Sequence, residues 1–329
     1  MGKNLGKNES LHITPWHPDR PVSKGATAFH EAVSSSSWIR DILFELVKII
    51  NNKINAGDRI VDFGAGTGTS ALLLLKNLQK NINLLLVDNS PSWLAKSYEL
   101  LHDVPNVEFF LLEKRDNTYA TLAETIGNEM VNHVISANTV HLIPDLEESF
   151  AGIADALKGN GTFTFQTGNF VRKSRPKGAL MIDDTVKTVH DIAVEIIRTD
   201  GKFEIYREGL NARIENEKSQ RKFVFPEPRP IKTYLNALRK AGFDYHAPYF
   251  IPVKVKYSDW LNFLRVKRLQ TGILPEVGGK DPSPEEEEDR DNLITQGAIK
   301  LFKDLETENP LADDKYFTID IAYVTSIKK

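Results

Sequence analysis

Cysteine is missing from all 329 residues. Disulfides, thiolate metal sites and mechanisms with a cysteine nucleophile are therefore excluded. Neither sign of charge dominates, since 42 Lys and Arg stand against 45 Asp and Glu, for a formal net charge of -3. Without a basic excess, tight non-specific binding to nucleic acid has no electrostatic support. No apolar run approaches the roughly 18 residues of a membrane span. The segment Met1 to Ser10 lacks the apolar core of a secretory signal, and Gly6 stands where a myristoylation motif wants Ser or Thr. These absences lead us to expect a cytoplasmic protein with neither nucleic acid nor membrane as partner. No internal repeat is evident. A hydrophobic content of 41% is ordinary for a soluble globular chain and supports a sizeable core, in one large domain or two small ones.

What the sequence does have is concentrated in Arg59-Ile-Val-Asp-Phe-Gly-Ala-Gly-Thr-Gly-Thr-Ser70. A short β-rich run meets three alternating glycines and then a leucine-rich stretch, the pattern of a strand, a tight turn and a helix N-terminus. Gly64, Gly66 and Gly68 let the backbone turn sharply and let a ligand approach without meeting a Cβ, while the helix start offers unpaired N–H groups. The spacing is G-x-G-x-G, whereas the dinucleotide fingerprint G-x-G-x-x-G wants Gly or Ala at position 69, which is Thr69. A pyrophosphate is thus not the favoured guest. Asp62, two residues before the first glycine, repels phosphate and attracts ammonium or sulfonium. Twenty residues past Gly68, Leu84-Leu-Leu-Val-Asp88 reads as a second buried strand ending in an acid placed to accept hydrogen bonds from ribose hydroxyls. Two acids and a glycine loop describe a site for a cationic nucleoside, although a glycine cluster alone more often marks an ordinary turn.

The pattern resembles the class I S-adenosylmethionine-dependent methyltransferases, whose first motif reads acid-x-Gly-x-Gly-x-Gly and whose second strand ends in a ribose-binding acid. The resemblance implies a Rossmann-like fold with S-adenosylmethionine as cofactor. It assigns cofactor contacts to Asp62, Gly64, Ala65, Gly66 and Gly68, and to Asp88 and Asn89 at the second strand. In the resembling family an acid after the third strand usually faces the adenine amino group. Between Glu113 and Asp116 the nearest match is Asp116, with a solvated turn as the equal alternative. The run ISANTVHLIPDLEESFAGIADALKGNGTFTF looks like the family's fourth and fifth motifs, which puts Asn138 at the cofactor and His141 in the region beneath the transferable methyl. His141 is the candidate general base, against the plainer role of a histidine that packs or hydrogen-bonds there. Asn138-Thr-Val-His141 is not the Asp/Asn-Pro-Pro-aromatic run of enzymes that methylate base amines, and the missing cysteine removes cytosine C5 methylation. Both favour a small-molecule acceptor. No residue set suggests a metal, since His12 and His17 lack a supporting acid cluster.

Along the chain, residues 1 to 36 are polar and turn-rich yet carry Trp16, Phe29 and His30. They read either as an ordered arm packed on the domain or as a lid over the site. Ile39, Ile42, Leu43, Leu46, Val47 and Ile50 recur at helical spacing behind Ser36 and Ser37, with Trp38 as that helix's one candidate ligand contact. Strands separated by single helices imply parallel pairing with right-handed crossovers. Residues 169 to 230 interrupt the alternation with a basic turn, a helix around Val186 to Ile197 and a β-looking stretch from Phe203 to Phe225. An insertion there would lie over the strand ends, as a substrate cap or as cover for a core edge. Tyr257 to Gln270 looks helical, Glu285 to Asp289 reads as a solvated helix start, and Tyr316 to Thr325 as a terminal antiparallel strand.

We therefore expect a Rossmann-like α/β fold: a seven-stranded mostly parallel sheet with an antiparallel last strand, a helical N-terminal arm and an inserted cap. The expected divisions are 1–55 for the arm and first helix, 56–168 for the S-adenosylmethionine-binding half, 169–230 for the cap and 231–329 for the remainder of the same catalytic domain. The expected activity is methyl transfer to an O, N or C nucleophile of a small molecule, and a homodimer is compatible with it. The rivals are a nicotinamide oxidoreductase, disfavoured by Thr69 and Asp62, and a non-catalytic S-adenosylmethionine-binding protein.

Overall fold

A computed structural model describes residues 14–116, 118–308 and 315–329. The segment Met1 to Ser10 and the metal candidate His12 lie outside the described residues. Two helices come first, α1 (Lys24–Ser35) and α2 (Ser37–Asn51). Ser23 caps α1 by accepting the Ala26 N–H. The α/β alternation then runs β1 (Arg59–Phe63), α3 (Thr69–Asn77), β2 (Asn83–Asp88), α4 (Pro91–Leu101) and β3 (Val107–Leu111). A short hairpin, β4 (Lys114–Arg115) and β5 (Thr118–Tyr119), precedes α5 (Leu122–Ile126), β6 (Val131–Ala137), α6 (Leu146–Ala156) and β7 (Leu157–Thr167).

Beyond Thr167 the chain leaves the sheet through β8 (Phe170–Val171), β9 (Ala179–Leu180), α7 (Ile182–Thr199), α8 (Leu210–Asn216), α9 (Lys218–Val224) and β10 (Arg229–Pro230). It returns with α10 (Ile231–Lys240), β11 (Phe243–Tyr245) and β12 (Tyr249–Lys256). A second excursion holds α11 (Tyr257–Leu264), α12 (Lys267–Ile273) and α13 (Pro284–Glu308), and β13 (Tyr316–Lys328) closes the fold.

β1 pairs parallel with β2 and β6, β2 with β3, and β6 with β7. β13 runs antiparallel to β7, and its far edge pairs antiparallel with β11 and β12. The order is thus β3-β2-β1-β6-β7-β13, with β11 and β12 outermost. Among the described residues the sheet has nine strands rather than seven. The outermost strand is split around Pro248, which has no N–H for a ladder, and β9 adds a two-residue parallel rung to β13. Ile60, Leu84 and Leu86 face one core while Val61, Leu85 and Val87 face the other. Strands apolar on both faces need helices on both sides, which is why the layers alternate as they do.

Two expectations are corrected. Phe203 to Phe225 is helical, as a 3₁₀ turn (Gly201–Tyr206) followed by α8 and α9. Its decisive pattern is Leu210 and Ile214, one helical turn apart and packed into the core, with Glu215 and Lys218 paired at 2.6 Å outside. Trp38 is no ligand contact either: it is 2% exposed and meets Trp260 and Phe263 edge-on at 5.8 and 6.0 Å. The two excursions share one core, in which α7 lies so close to α13 that a Cβ on Gly297 would be 2.8 Å from the Val189 carbonyl oxygen.

Candidate functional site

β1 ends at Phe63, and the chain reverses through Gly64, Gly66 and Gly68, whose φ angles are 75°, 56° and 84°. All three lie in the left-handed region that L side chains avoid. Gly64 is required a second time by close approach, since a Cβ there would lie 2.2 Å from Thr139 Cγ2. The Gly64 and Ala65 N–H groups donate to the Val87 carbonyl at 2.8 and 3.1 Å, which ties the loop to the end of β2. The Gly66 N–H donates to Asp88 Oδ2 at 2.8 Å, and Asp88 Oδ1 accepts the Ser90 N–H at 2.8 Å. Asp88 therefore brackets the glycine loop to the start of α4. Burial holds its carboxyl above the ordinary carboxylate range, opposed by those two N–H groups and by the charge of Arg268.

Asp62 lies one residue before the end of β1 and is 0% exposed. The Ser70 hydroxyl donates to its Oδ2 at 2.5 Å, while its Oδ1 has no partner among the described residues. Burial pushes this carboxyl up to about 7, the Ser70 bond working against it and the nearby Asp88 charge with it. A buried carboxylate oxygen without a donor is costly, and a cation is what would complete it.

A family model described as Methyltransferase domain matches residues 54–218, half of the chain. The chain belongs to that methyltransferase family. It is an S-adenosylmethionine-dependent enzyme of class I. No curated protein matches it in sequence. Among solved structures it is similar to YcgJ of Bacillus subtilis, at 15% identity and a TM-score of 0.48, over 88% of this chain and 99% of that one. It is also similar to phosphoethanolamine N-methyltransferase 2 of Haemonchus contortus in complex with S-adenosyl-L-methionine, at 14% identity and TM-score 0.48, over 92% of this chain and 56% of that one. A third is the cyclopropane synthase MmaA2 of Mycobacterium tuberculosis, at 17% identity and TM-score 0.45, over 87% and 84% of the two chains.

In this methyltransferase, Asn138 stands directly after β6 with a left-handed φ of 53°. Its backbone N–H donates to Gln166 Oε1 at 3.1 Å, and its Oδ1 accepts from Gln166 Nε2 at 3.0 Å. A non-glycine residue held in that conformation by a fully buried glutamine is stored strain at a strand end. Next to it, Thr139 donates its hydroxyl to the Gly64 and Ala137 carbonyls, both at 3.1 Å. His141 lies in the following 3₁₀ turn (Val140–Leu142), its Nδ1 3.2 Å from Thr167 Oγ1. That hydroxyl also accepts the Asn169 N–H at 3.1 Å, and it donates its own hydrogen to Nδ1 in the tautomer that carries the imidazole proton on Nε2. Burial, with the charge of Arg229, pushes His141 down to about 4.

Asn89 is exposed beside Asp88. Asp116 is not brought to the glycine loop: it sits at the exposed turn of the β4–β5 hairpin with φ 47°. Glu113 is the acid nearer the strand ends, because Leu112 just before it donates its N–H to the Asp88 carbonyl at 2.9 Å. His17 meets the Tyr98 hydroxyl at 3.2 Å, and no group of three or more His, Asp or Glu is gathered for a metal among the described residues.

The arm covers the loop. His30 Nδ1 lies 3.3 Å from Thr67 Oγ1 and 3.4 Å from Thr69 Oγ1. Phe29 stacks on Trp93 at 4.3 Å between centroids, and Trp93 is 3.4 Å from where a Cβ on Gly66 would be. Arg268 of α12 lies over the Trp93 ring at 4.3 Å. The sequence reading did not place Thr139, Trp93 or Arg268 at the site. Thr139 was signalled by its neighbour Asn138, but a lone arginine about 200 residues from the glycine loop carries no local signal.

Proposed function

We propose that this enzyme transfers a methyl group from S-adenosylmethionine to a small-molecule acceptor. The observation that carries the reading is the bare, buried Oδ1 of Asp62 beside a loop in which a Cβ on Gly64 would strike Thr139 and Gly66 is held at a left-handed φ. Those residues fit a cationic nucleoside. When bound, S-adenosylmethionine supplies a methyl on a sulfonium, activated for in-line displacement. Asp62 would accept from the cofactor's ammonium, the remaining lone pairs of Asp88 from ribose hydroxyls, and Glu113 from the adenine amino group. Phe29, His30 and Trp93 exclude water from the loop.

The acceptor side is assigned to the turn after β6 and the start of the insertion. Asn169 is 6% exposed, its Nδ2 donates to the Pro226 carbonyl at 2.7 Å, and its Oδ1 has no partner among the described residues. An acceptor hydroxyl or amine can donate there, one hydrogen bond from Thr167 and two from His141. Phe170 and Arg172, although in the insertion, are committed to packing. Phe170 is 0% exposed and stacks on Phe250 at 5.6 Å, while Arg172 grips Asp320 through two bonds at 2.7 and 2.9 Å. His141, held neutral by burial, serves as a hydrogen-bonding wall, and alignment alone can supply effective molarities of order 10⁵ M.

Titration calorimetry tests the cofactor half: S-adenosylmethionine and S-adenosylhomocysteine should bind and NAD should not, with Gly66→Arg abolishing the signal. Tight NAD binding without a response to S-adenosylmethionine would sink it. Mass spectrometry of molecules retained through purification identifies the acceptor.

A further inference from the structure

α9, α12, the loop of residues 274–283 and the first turns of α13 line an open cavity of about 380 Å³. Its wall holds the Lys267–Glu287 ion pair and three further cations, Arg268, Lys280 and Arg290. Arg290 is the informative one. It is 2% exposed, and it donates from Nε to the Val277 carbonyl at 2.7 Å and from Nη2 to the Gly279 carbonyl at 2.6 Å. No carboxylate is bonded to it among the described residues. The acids around it bond elsewhere: Glu276 Oε1 to Arg221 at 2.5 Å, Glu286 to the Ser283 N–H at 2.8 Å, and Glu287 to Lys267. This buried guanidinium is bonded only to carbonyls, while Glu286, Glu287 and Glu276 act on it by charge without a hydrogen bond to it. Lys280 has no ion pair, and the guanidinium of Arg268 has no hydrogen-bond partner, among the described residues.

Three positive groups, of which Arg268 and Lys280 have no hydrogen-bond or ion-pair partner among the described residues, surround a space larger than a phosphate needs and suit an oxyanion. Arg268 also fixes where that anion would stand. It lines the cavity, lies over Trp93 and acts by its charge on Asp88, so the cavity adjoins the glycine loop without being part of it. We propose that this cavity binds a phosphate or carboxylate group carried by the methyl acceptor. The assignment to an acceptor rests on the small-molecule reading above.

The intact protein is titrated calorimetrically with inorganic phosphate and with malonate, alone and with S-adenosylhomocysteine saturating. Both probes should bind the wild type. Lys280→Glu, at an exposed position, should weaken them at least about tenfold, with S-adenosylhomocysteine affinity unchanged. Phosphate should bind as well or better when S-adenosylhomocysteine is present. No binding at about 10 mM probe, or binding indifferent to Lys280→Glu, overturns the site. Displacement of phosphate by S-adenosylhomocysteine gives the cavity to the cofactor and overturns the acceptor assignment. A second arm offers labelled S-adenosylmethionine with small amines and alcohols, each in neutral and in phosphorylated or carboxylated form. Label confined to the anionic members supports the proposal, and equal label in the neutral ones overturns it. Label in none, while phosphate still binds through Lys280, strikes the small-molecule reading itself and leaves a free anion as the ligand, which also overturns the acceptor assignment.

Discussion

Asp62 couples folding, protonation and cofactor binding in one carboxyl. With its value pushed from 3.8 to about 7, the ionised form costs about 4 kcal/mol at pH 8, at 1.36 kcal/mol per pKa unit. The folded carboxyl holds its proton more tightly than the unfolded chain does. The penalty is therefore absent below about pH 4, grows as pH rises, and is full above about pH 7. A bound cation favours the ionised form, so binding of S-adenosylmethionine near pH 7 should release about half a proton, and affinity should fall as pH drops below 7. Asp62→Asn keeps an acceptor for Ser70 but puts an N–H where the bare Oδ1 stands. The lost charge removes the penalty of about 4 kcal/mol, and an unpaired N–H restores about 2 of it. The ligand-free variant should thus be more stable than wild type by about 2 kcal/mol at pH 8, read from urea unfolding. Its affinity for S-adenosylmethionine should fall about 30- to 150-fold, a charged hydrogen bond being worth roughly 2–3 kcal/mol. Calorimetry in buffers of different ionisation enthalpy reads the proton release, which the variant should lack. A ligand-free variant less stable than wild type at pH 8, together with an unchanged proton release, would refute this account.

Gly64→Ala should unfold or lose cofactor binding, because its Cβ meets Thr139 at a left-handed φ; Gly64→Ala with Thr139→Gly should recover part of the stability, and no recovery in thermal melts would remove the steric explanation. His141→Asn should leave kcat within about tenfold and leave any limb of the rate profile near pH 6.5 in place, since His141 is already held down to about 4; loss of such a limb would make the imidazole the base. Asp320→Asn should destabilise by about 3–5 kcal/mol through the stranded Arg172 charge, with S-adenosylmethionine affinity of the folded fraction unaltered; a cofactor defect without a stability defect contradicts it.

Local pattern carried the parts of this fold that are local. The β1–loop–α3 unit is legible because glycine at 64, 66 and 68 answers a backbone requirement that no other residue meets cheaply. Tyr316 to Thr325 is legible from its two-residue alternation and β-branched residues, and Val107 to Leu112 as a short apolar run bounded by polar turns. The stretch Phe203 to Phe225 misled because its aromatic ends outweighed the one-turn spacing of Leu210 and Ile214. Trp38 looked like a ligand contact because its partners, Trp260 and Phe263, are more than 200 residues away. The same distance hides Arg268, whose place over Trp93 depends on how α12 docks. Asp116 and Glu113 could not be separated without knowing where β3 stops and the hairpin begins.

The position of β13 sets the order of events during synthesis. Last in the chain, it lies inside the sheet, between β7 and the outer pair β11 and β12. About 150 residues separate the end of β7 from the start of β13, which at roughly 5–20 residues per second is on the order of 10–30 s of elongation. Throughout that interval the free edge of β7 is an open strand among Phe163 and Phe165, the kind of edge that recruits other chains. The cradle between β1 and β2 can form early, whereas the edge of β7 stays uncovered until β13 arrives.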